Sequence, residues 1–282
     1  MTLDQHSAVV TALVVLIDGS LASSSMDRTI KIWDTYTGVV LRTLDGHTSS
    51  VNCLAIFPDA LTIASGSSDQ TVKVWNLKNG MQLKTLSGHT DVVYSLAVFG
   101  DSMLASGSYQ SIRIWNISNE RTLKILSGHT DFVYSLLVLK DGSLASGSWD
   151  NTIRIWNIIS GQLLKILNGH TNSVYSMAIL KDGSLASGSS DKSIRIWNIK
   201  NSLTIGILNG HMSSVSSLAV FPDDGTLVSG SWDNTLRIWN ESTGETLSKL
   251  DGHVSYVNSV VILPDGALAS GSQDRTIKIW KI

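Results

Sequence analysis

Short apolar stretches separated by turn residues recur along the chain about every 41 residues. A unit begins with an apolar stretch such as residues 93–98, followed by a turn that is often Asp-Gly, and then by Leu-Ala-Ser-Gly-Ser. Next come a tight turn and a segment of alternating polar and apolar residues that ends in Trp. A final apolar stretch, the fourth segment of the unit, leads to the next repeat. Asp-Gly between apolar runs favours a hairpin, because both residues tolerate positive φ. No segment shows a sustained helical period, so each unit is predicted to form four strands.

Two residue types mark the repeats. All seven histidines share one register: His6, His47, His89, His129, His170, His211 and His253. Seven of the nine tryptophans share another: Trp33, Trp75, Trp115, Trp156, Trp197, Trp239 and Trp280. Each Trp is 14 residues before the next His, and each His is 26 to 28 residues before its Trp. Such constant spacing is typical of strands held in register, and seven four-stranded units predict an all-β radial array.

Composition excludes several classes of protein. The 282 residues are 43% hydrophobic and 16% charged, with a net charge of −2, which argues against a disordered chain and against nucleic acid as a partner. The apolar run over residues 8–17 is about half the length of a membrane span, so we interpret it as a strand and expect no membrane partner. The single cysteine, Cys53, fits a reducing compartment and predicts a cytoplasmic protein.

The Gly-His opening, the Ser-x-Asp turn and the closing Trp-Asp (Trp33-Asp34) or Trp-Asn of each unit resemble the WD-repeat family. The resemblance covers nearly the whole chain. It implies one seven-bladed β-propeller domain over residues 1–282, with four-stranded antiparallel blades. It further implies a non-catalytic platform that binds a protein or peptide, and we expect a monomeric domain without a cofactor.

The resemblance also implies that His, Ser, Asp and Trp of a repeat form a structural tetrad, in which hydrogen bonds run from Asp to His, to Ser and to the indole. A Ser-His-Asp hydrolase is the alternative, but an enzyme needs one such set, and the single histidines lack the spacing of a metal site. The remaining tetrad members, beside the His and Trp given above, are Ser23 and Asp27, Ser65 and Asp69, Ser146 and Asp150, Ser187 and Asp191, Ser229 and Asp233, and Ser270 and Asp274.

Two repeats depart from the pattern. In the third, the turn over residues 107–111 is one residue short and has no Asp, so His89 is expected to lack an acidic partner. This repeat is interpreted as a tolerated degenerate copy or as an edge remodelled for a partner. The last repeat ends at Ile282 without a fourth strand, so the last blade is expected to be closed by a short N-terminal strand. We expect the chain to be a piece of a longer protein.

The residue before each Asp is predicted to be exposed at a turn apex, where the two tryptophans outside the repeat register fall. Positions three and five past each His add further aromatic residues at the same end. The predicted partner-binding residues are Met26, Tyr94, Tyr109, Phe132, Tyr134, Trp149, Tyr175, Trp232 and Tyr256. Exposed Trp and Tyr are favoured interface anchors. The alternatives are sideways packing of Trp149 and Trp232 on neighbouring blades, and burial of the tyrosines beside the channel.

A Lys or Arg precedes each repeat Trp by two residues, and stacking on that indole or on an adjacent strand is expected rather than a nucleic-acid stripe. The set is Lys31, Lys73, Arg113, Arg154, Arg195, Arg237 and Lys278. The sequence therefore favours a protein-interaction scaffold. A structural or sensor array within a larger protein, and an enzyme or small-ligand site in the channel, remain alternatives.

Overall fold

The computed structural model describes residues 1–241 and 243–281. These residues form 27 strands and no helix, so the predicted all-β class is confirmed. Each repeat contributes antiparallel strands that pair in chain order, which we number as blades one to seven. Within the described residues there is accordingly no helix of a length and apolarity that could span a membrane.

The first strand of a blade follows the Gly-His turn, and the second strand pairs with it. The first strands are β2 (Val10–Val15), β6 (Val51–Ile56), β10 (Ser95–Phe99), the second half of β13 (Arg121–Val138), β17 (Val174–Ile179), β21 (Val215–Val220) and β25 (Val257–Ile262). The second strands are β3 (Leu21–Ser25), β7 (Thr62–Ser67), β11 (Met103–Gly107), β14 (Leu144–Ser148), β18 (Leu185–Ser189), β22 (Leu227–Ser231) and β26 (Leu268–Ser272).

The third strand carries the repeat Trp, and the fourth is the outer edge of the blade. The third strands are β4 (Ile30–Trp33), β8 (Val72–Asn76), β12 (Tyr109–Asn116), β15 (Ile153–Trp156), β19 (Ser193–Asn198), β23 (Leu236–Trp239) and β27 (Ile277–Trp280). The outer strands are β5 (Val40–Leu44), β9 (Gln82–Leu86), the first half of β13, β16 (Leu163–Leu167), β20 (Leu203–Asn209), β24 (Thr246–Leu250) and β1 (Thr2–Leu3).

The first strands of successive blades contact one another, and β25 of blade seven contacts β2 of blade one. This is the arrangement of a seven-bladed β-propeller. Blade seven takes its fourth strand from the N-terminus, as expected, because Thr2 pairs with Lys278 and Leu3 with Ile277. That outer strand has only two residues, yet Leu3 is buried in the core between blades seven and one.

Apolar clusters fill the space between neighbouring blades. One cluster joins Leu139 and Ile153 of blade four to Val174 and Trp197 of blade five. The Val four residues past each His is fully buried in all seven blades and belongs to the blade core. The second strand approaches the next blade closely, since a Cβ at Gly188 would lie 2.7 Å from Cγ1 of Val215.

Blades three and four are joined. Strand β13 runs without interruption from the outer edge of blade three to the inner edge of blade four, so that strands β10 to β16 form one seven-stranded sheet. Tyr109 pairs with Phe132 across this junction. The physical reason for this continuity is the short turn of the third repeat. Because of it, β12 already begins at Tyr109, and its pairing with β13 extends over several more residues.

Candidate functional site

The tetrad side chains are hydrogen-bonded in series, as blade four illustrates. Nδ1 of His129 lies 2.7 Å from Oδ2 of Asp150, and its Nε2 lies 2.7 Å from Oγ of Ser146. The indole N–H of Trp156 donates to the same Oγ at 2.8 Å. With the proton on Nδ1, the imidazole donates to the carboxylate and accepts from the serine, so every group has a partner. Blades one, two, five, six and seven repeat this geometry, with His–Asp distances of 2.7 or 2.8 Å.

Each tetrad Asp also organises its turn. Asp150 accepts hydrogen bonds from the backbone N–H of Thr130 and of Thr152, at 3.1 and 3.0 Å. Burial raises the pKa of this carboxyl, but hydrogen bonds from His129 and Thr152 outweigh burial and hold the pKa well below its usual range. The same causes lower the pKa of Asp69 to about 2. These carboxyls therefore stay ionised at neutral pH.

The tetrads are closed to substrates. Ser146 is fully buried and His129 is 4% exposed, and the other five sets are equally enclosed. A nucleophile must reach a reacting atom at hydrogen-bond distance, which this burial prevents. Among residues 1–241 and 243–281, no group of three or more His, Cys, Asp or Glu side chains is placed to hold a metal ion. The tetrad thus links the first hairpin of each blade to the third strand, which carries the Trp.

Blade three keeps only part of this network. Nε2 of His89 lies 2.5 Å from Oγ of Ser106, which accepts from the indole of Trp115 at 2.7 Å. Within the described part of the chain, no carboxylate lies within ion-pair distance of His89. Instead, the side-chain amide of Gln110 donates to the carbonyl of Thr130 at 2.8 Å. Burial, followed by the charge of Arg113, lowers the pKa of His89 to about 4.

Most of the aromatic side chains outside the tetrads lie together where the first strands begin. We call this group the mouth cluster; its members are Tyr94, Tyr109, Phe132, Tyr134, Trp149, Tyr175, Trp232 and Tyr256. Tyr134 stacks on Tyr94 with ring centroids 4.7 Å apart and on Trp149 at 5.8 Å. Phe132 packs edge-on against Trp149 at 5.4 Å.

The cluster continues without a break toward blade seven. The ring of Tyr175 lies 4.9 Å from Tyr134 and 5.0 Å from Trp232. Trp232 stacks on Tyr256 at 5.3 Å. Rings from five successive blades therefore contact one another, an arrangement that the sequence indicated only as residues at the same end of the repeats.

The predicted exposure of the turn apices holds for some positions and not for others. Met26 is 49% exposed and Tyr109 is 44% exposed. Trp149 and Trp232 are instead half-buried against rings of neighbouring blades, which is the sideways packing named as an alternative. Each indole N–H is buried without a hydrogen-bond partner among the described residues. Tyr175 is 9% exposed, so it is nearly buried.

A cavity of about 410 Å³ opens at this end of the channel and is lined by residues of all seven blades. Six members of the mouth cluster form one side of it: Tyr94, Tyr134, Trp149, Tyr175, Trp232 and Tyr256. Hydroxyl and amide side chains form the other side, which we call the polar wall: Thr11, Ser50, Asn52, Ser68, Asn258 and Gln273.

Part of the polar wall joins neighbouring blades. The side-chain amide of Asn52 donates to the carbonyl of Val93, and that of Asn258 donates to the carbonyl of Val10. These cross-blade bonds were not predicted from the sequence. The sequence signal for these bonds is the residue five positions past each His, which is Asn in blades two and seven but Tyr in blades three to five.

The basic residues before the repeat tryptophans lie against the blades rather than in a stripe. The guanidinium groups of Arg113 and Arg237 each lie 5.8 Å from the ring of the following Trp. Lys73 donates to Gln82 on the neighbouring strand at 2.8 Å. The stacking expected from the sequence is therefore present in blades three and six.

A family model described as WD domain, G-beta repeat, matches the chain seven times, over residues 1–34, 38–76, 80–116, 120–157, 161–198, 202–240 and 244–281. The chain belongs to the WD-repeat family. Proteins of this WD-repeat family are generally non-catalytic scaffolds for other proteins.

Short segments of the chain are similar to curated WD-repeat proteins. Protein DOA1 of Saccharomyces cerevisiae is 47% identical over 53 residues, which are 19% of this chain and 7% of DOA1. Human proteasomal ATPase-associated factor 1 is 42% identical over 57 residues, or 20% of this chain and 14% of that protein. The methylosome protein WDR77 of Xenopus laevis is 38% identical over 60 residues, or 21% of this chain and 18% of WDR77. The matched segments span less than a fifth of each relative.

Proposed function

We propose that this WD-repeat domain is a monomeric interaction scaffold that binds a peptide or a partner domain at the mouth cluster and the turns around it. The observation that carries the proposal is the contact network of eight aromatic side chains around one end of the channel, beside an open cavity. Trp and Tyr are the residue types that most often dominate binding energy at interfaces. Membership of the WD-repeat family supports the same class of function. So do the relatives, which include a proteasomal ATPase-associated factor and a methylosome protein.

The indoles of Trp149 and Trp232 add a second argument. A buried N–H without an acceptor costs about 1–3 kcal/mol, and both mouth indoles carry this cost. By contrast, the seven tetrad indoles all donate to a serine. Unpaired polar groups beside an open cavity are expected at a functional site, because a ligand there can supply the acceptor. The buried Cys53 supports the proposal of an intracellular setting.

The experiment is selection of binding peptides from a random display library, with affinities then measured on variants. Trp149→Ala combined with Trp232→Ala is expected to weaken the selected peptides by about 30-fold, as for two interface anchors. Trp149 and Trp232 are half-buried, so their loss can also affect folding. Met26→Ala and Tyr109→Ala are therefore measured as well, because Met26 and Tyr109 are exposed and their loss should leave folding intact.

The matched control is Tyr36→Ala. Tyr36 is 82% exposed and lies beside the hairpin of Asp18 and Gly19, at the opposite end of the blades. Its loss is expected to leave every affinity unchanged. If Tyr36→Ala weakens binding as much as the mouth variants do, the docking face is wrong. If no peptide is selected by the folded wild type, the peptide-binding function is wrong.

A further inference from the structure

Two blades carry an acidic residue at the second position past the His. Asp91 and Asp131 occupy the second position past the His of blades three and four, where the other five repeats have Ala, Ser or Asn. Both are half-buried, and each carboxylate accepts the backbone N–H of the following residue, at 2.7 and 2.8 Å. The two negative charges are therefore fixed in position rather than carried on mobile side chains.

These carboxylates lie beside the stacked rings. Asp131 directly precedes Phe132, whose ring centroid lies 5.2 Å from Tyr94 and 5.4 Å from Trp149. Burial, and then the negative charge of Asp91, raise the pKa of Tyr94, which shows that Asp91 acts on the same ring. The two carboxylates thus lie outside the cavity lining, on residues next to its aromatic end.

The opposite rim carries the opposite charge. Arg28 and Arg275 follow the tetrad Asp in blades one and seven, and both are exposed. They lie two residues after Met26 and Gln273, which line the cavity. Lys192 has the same turn position in blade five, on the aromatic side. The cavity lining itself contains no charged side chain among the described residues, so charge acts on the cavity from its rim.

We propose that the aromatic end of the cavity, lined by Tyr94, Tyr134 and Trp149, receives the cationic side chain of a docked peptide, a guanidinium or an ammonium group. The inference rests on the proposed function and names the chemistry of the partner. A cation near Tyr and Trp rings is attracted by their quadrupole. Asp91 and Asp131 add attraction from the side, while Arg28 and Arg275 disfavour the same cation on the other rim.

The test uses synthetic pentapeptides with capped ends, in which four glycines flank one central residue. The central residue is arginine, lysine, trimethyllysine or the neutral arginine analogue citrulline. Binding is followed by the indole N–H resonances of Trp149 and Trp232, which are assigned from the Trp149→Ala and Trp232→Ala spectra. The three cationic peptides distinguish a guanidinium site from an ammonium or methylammonium site.

The wild type is expected to bind at least one cationic peptide about tenfold more tightly than the citrulline peptide. Asp91→Asn combined with Asp131→Asn keeps both backbone hydrogen-bond acceptors and removes both charges, and it is expected to reduce this preference by several-fold. The control, Asp101→Asn combined with Asp223→Asn, makes the same charge change in exposed hairpin turns at the opposite end and should leave the preference intact.

Equal binding of the citrulline and cationic peptides, or no binding of any cationic peptide, overturns the cation site. So does a preference that the Asp91→Asn and Asp131→Asn variant retains in full. In each of these cases library peptides can still depend on Trp149 and Trp232, so the proposed function stands or fails by its own experiment.

Discussion

Blades three and four share strand β13 but close the turn between their second and third strands in different ways. In blade four, Asp150 joins His129 to the turn through charged hydrogen bonds. In blade three, Gln110 adopts a φ of +56° and bonds to the carbonyl of Thr130. Yet Trp115 and Trp156 donate to their serines at 2.7 and 2.8 Å alike. The comparison indicates that the carboxylate organises the turn, whereas the indole is placed without it, by packing and its hydrogen bond to the serine.

The largest effect is expected from removing either indole. Trp115→Ala and Trp156→Ala should each lower the free energy of unfolding by about 3–5 kcal/mol, because each side chain is 1–2% exposed and leaves a large cavity. Chemical denaturation followed by circular dichroism measures both. If Trp115→Ala costs less than half as much as Trp156→Ala, the indole depends on the carboxylate after all. Tyr36→Ala, on an exposed turn, is the control with an expected change within about 0.5 kcal/mol.

The next effect separates the two turns directly. Asp150→Ala should cost about 2–3 kcal/mol, because it leaves the N–H groups of His129 Nδ1 and Thr152 without their charged acceptor. Gln110→Ala removes one exposed hydrogen bond and should cost no more than about 1 kcal/mol. The same denaturation experiment compares them, and equal costs would show that both turns depend on their side chains to the same degree.

His89 of blade three should also contribute to the pH dependence of the free energy of unfolding. The pKa of His89 falls from 6.5 to about 4 on folding, through burial first and then the charge of Arg113. Between those values the unfolded chain binds more protons, so stability is complete above pH 6.5 and decreases as the pH falls toward 4. His89→Gln should reduce this slope by at most about 1 kcal/mol per pH unit.

A slope remains in that variant, because burial also lowers the pKa of His47 and His253. The tetrad carboxyls have lowered pKa values and lose their contribution only below about pH 3.8, where the unfolded carboxyls take up protons. The pH dependence of the unfolding midpoint, measured for wild type and His89→Gln between pH 4 and 7, tests this. If the unfolding midpoint has the same pH dependence in both proteins, the claim that His89 is buried in its neutral form is wrong.

Much of the blade could be predicted because it depends on contacts within one repeat. The Asp-Gly turns predicted hairpins, and the His and Trp registers predicted seven equivalent four-stranded units. The missing acidic partner of His89 was likewise visible in the length of its turn.

Features that depend on the distance between blades could not be predicted in this way. The sequence places Trp149 and Trp232 at turn apices, but both also pack against Tyr175 of a neighbouring blade, with ring centroids 6.5 and 5.0 Å apart. The same holds for the bond from Asn52 to Val93 of the next blade. The continuity of β13 also requires the backbone of two repeats to pair across Tyr109 and Phe132, which no single repeat reveals.

The smallest effect comes from repairing blade three. Replacing residues 108–111 by the five-residue turn of blade four, Ser-Trp-Asp-Asn-Thr, supplies the carboxylate that His89 lacks. The repaired turn should stabilise the protein by about 1 kcal/mol through the new hydrogen bond to Nδ1. It should also interrupt β13, so that the backbone amides of residues 127–131 exchange with solvent faster than in the wild type, as measured by hydrogen exchange. The matched control carries Ala in place of the grafted Asp, which restores the length without the charge. If both grafts are equally stable, turn length rather than the carboxylate distinguishes the two blades.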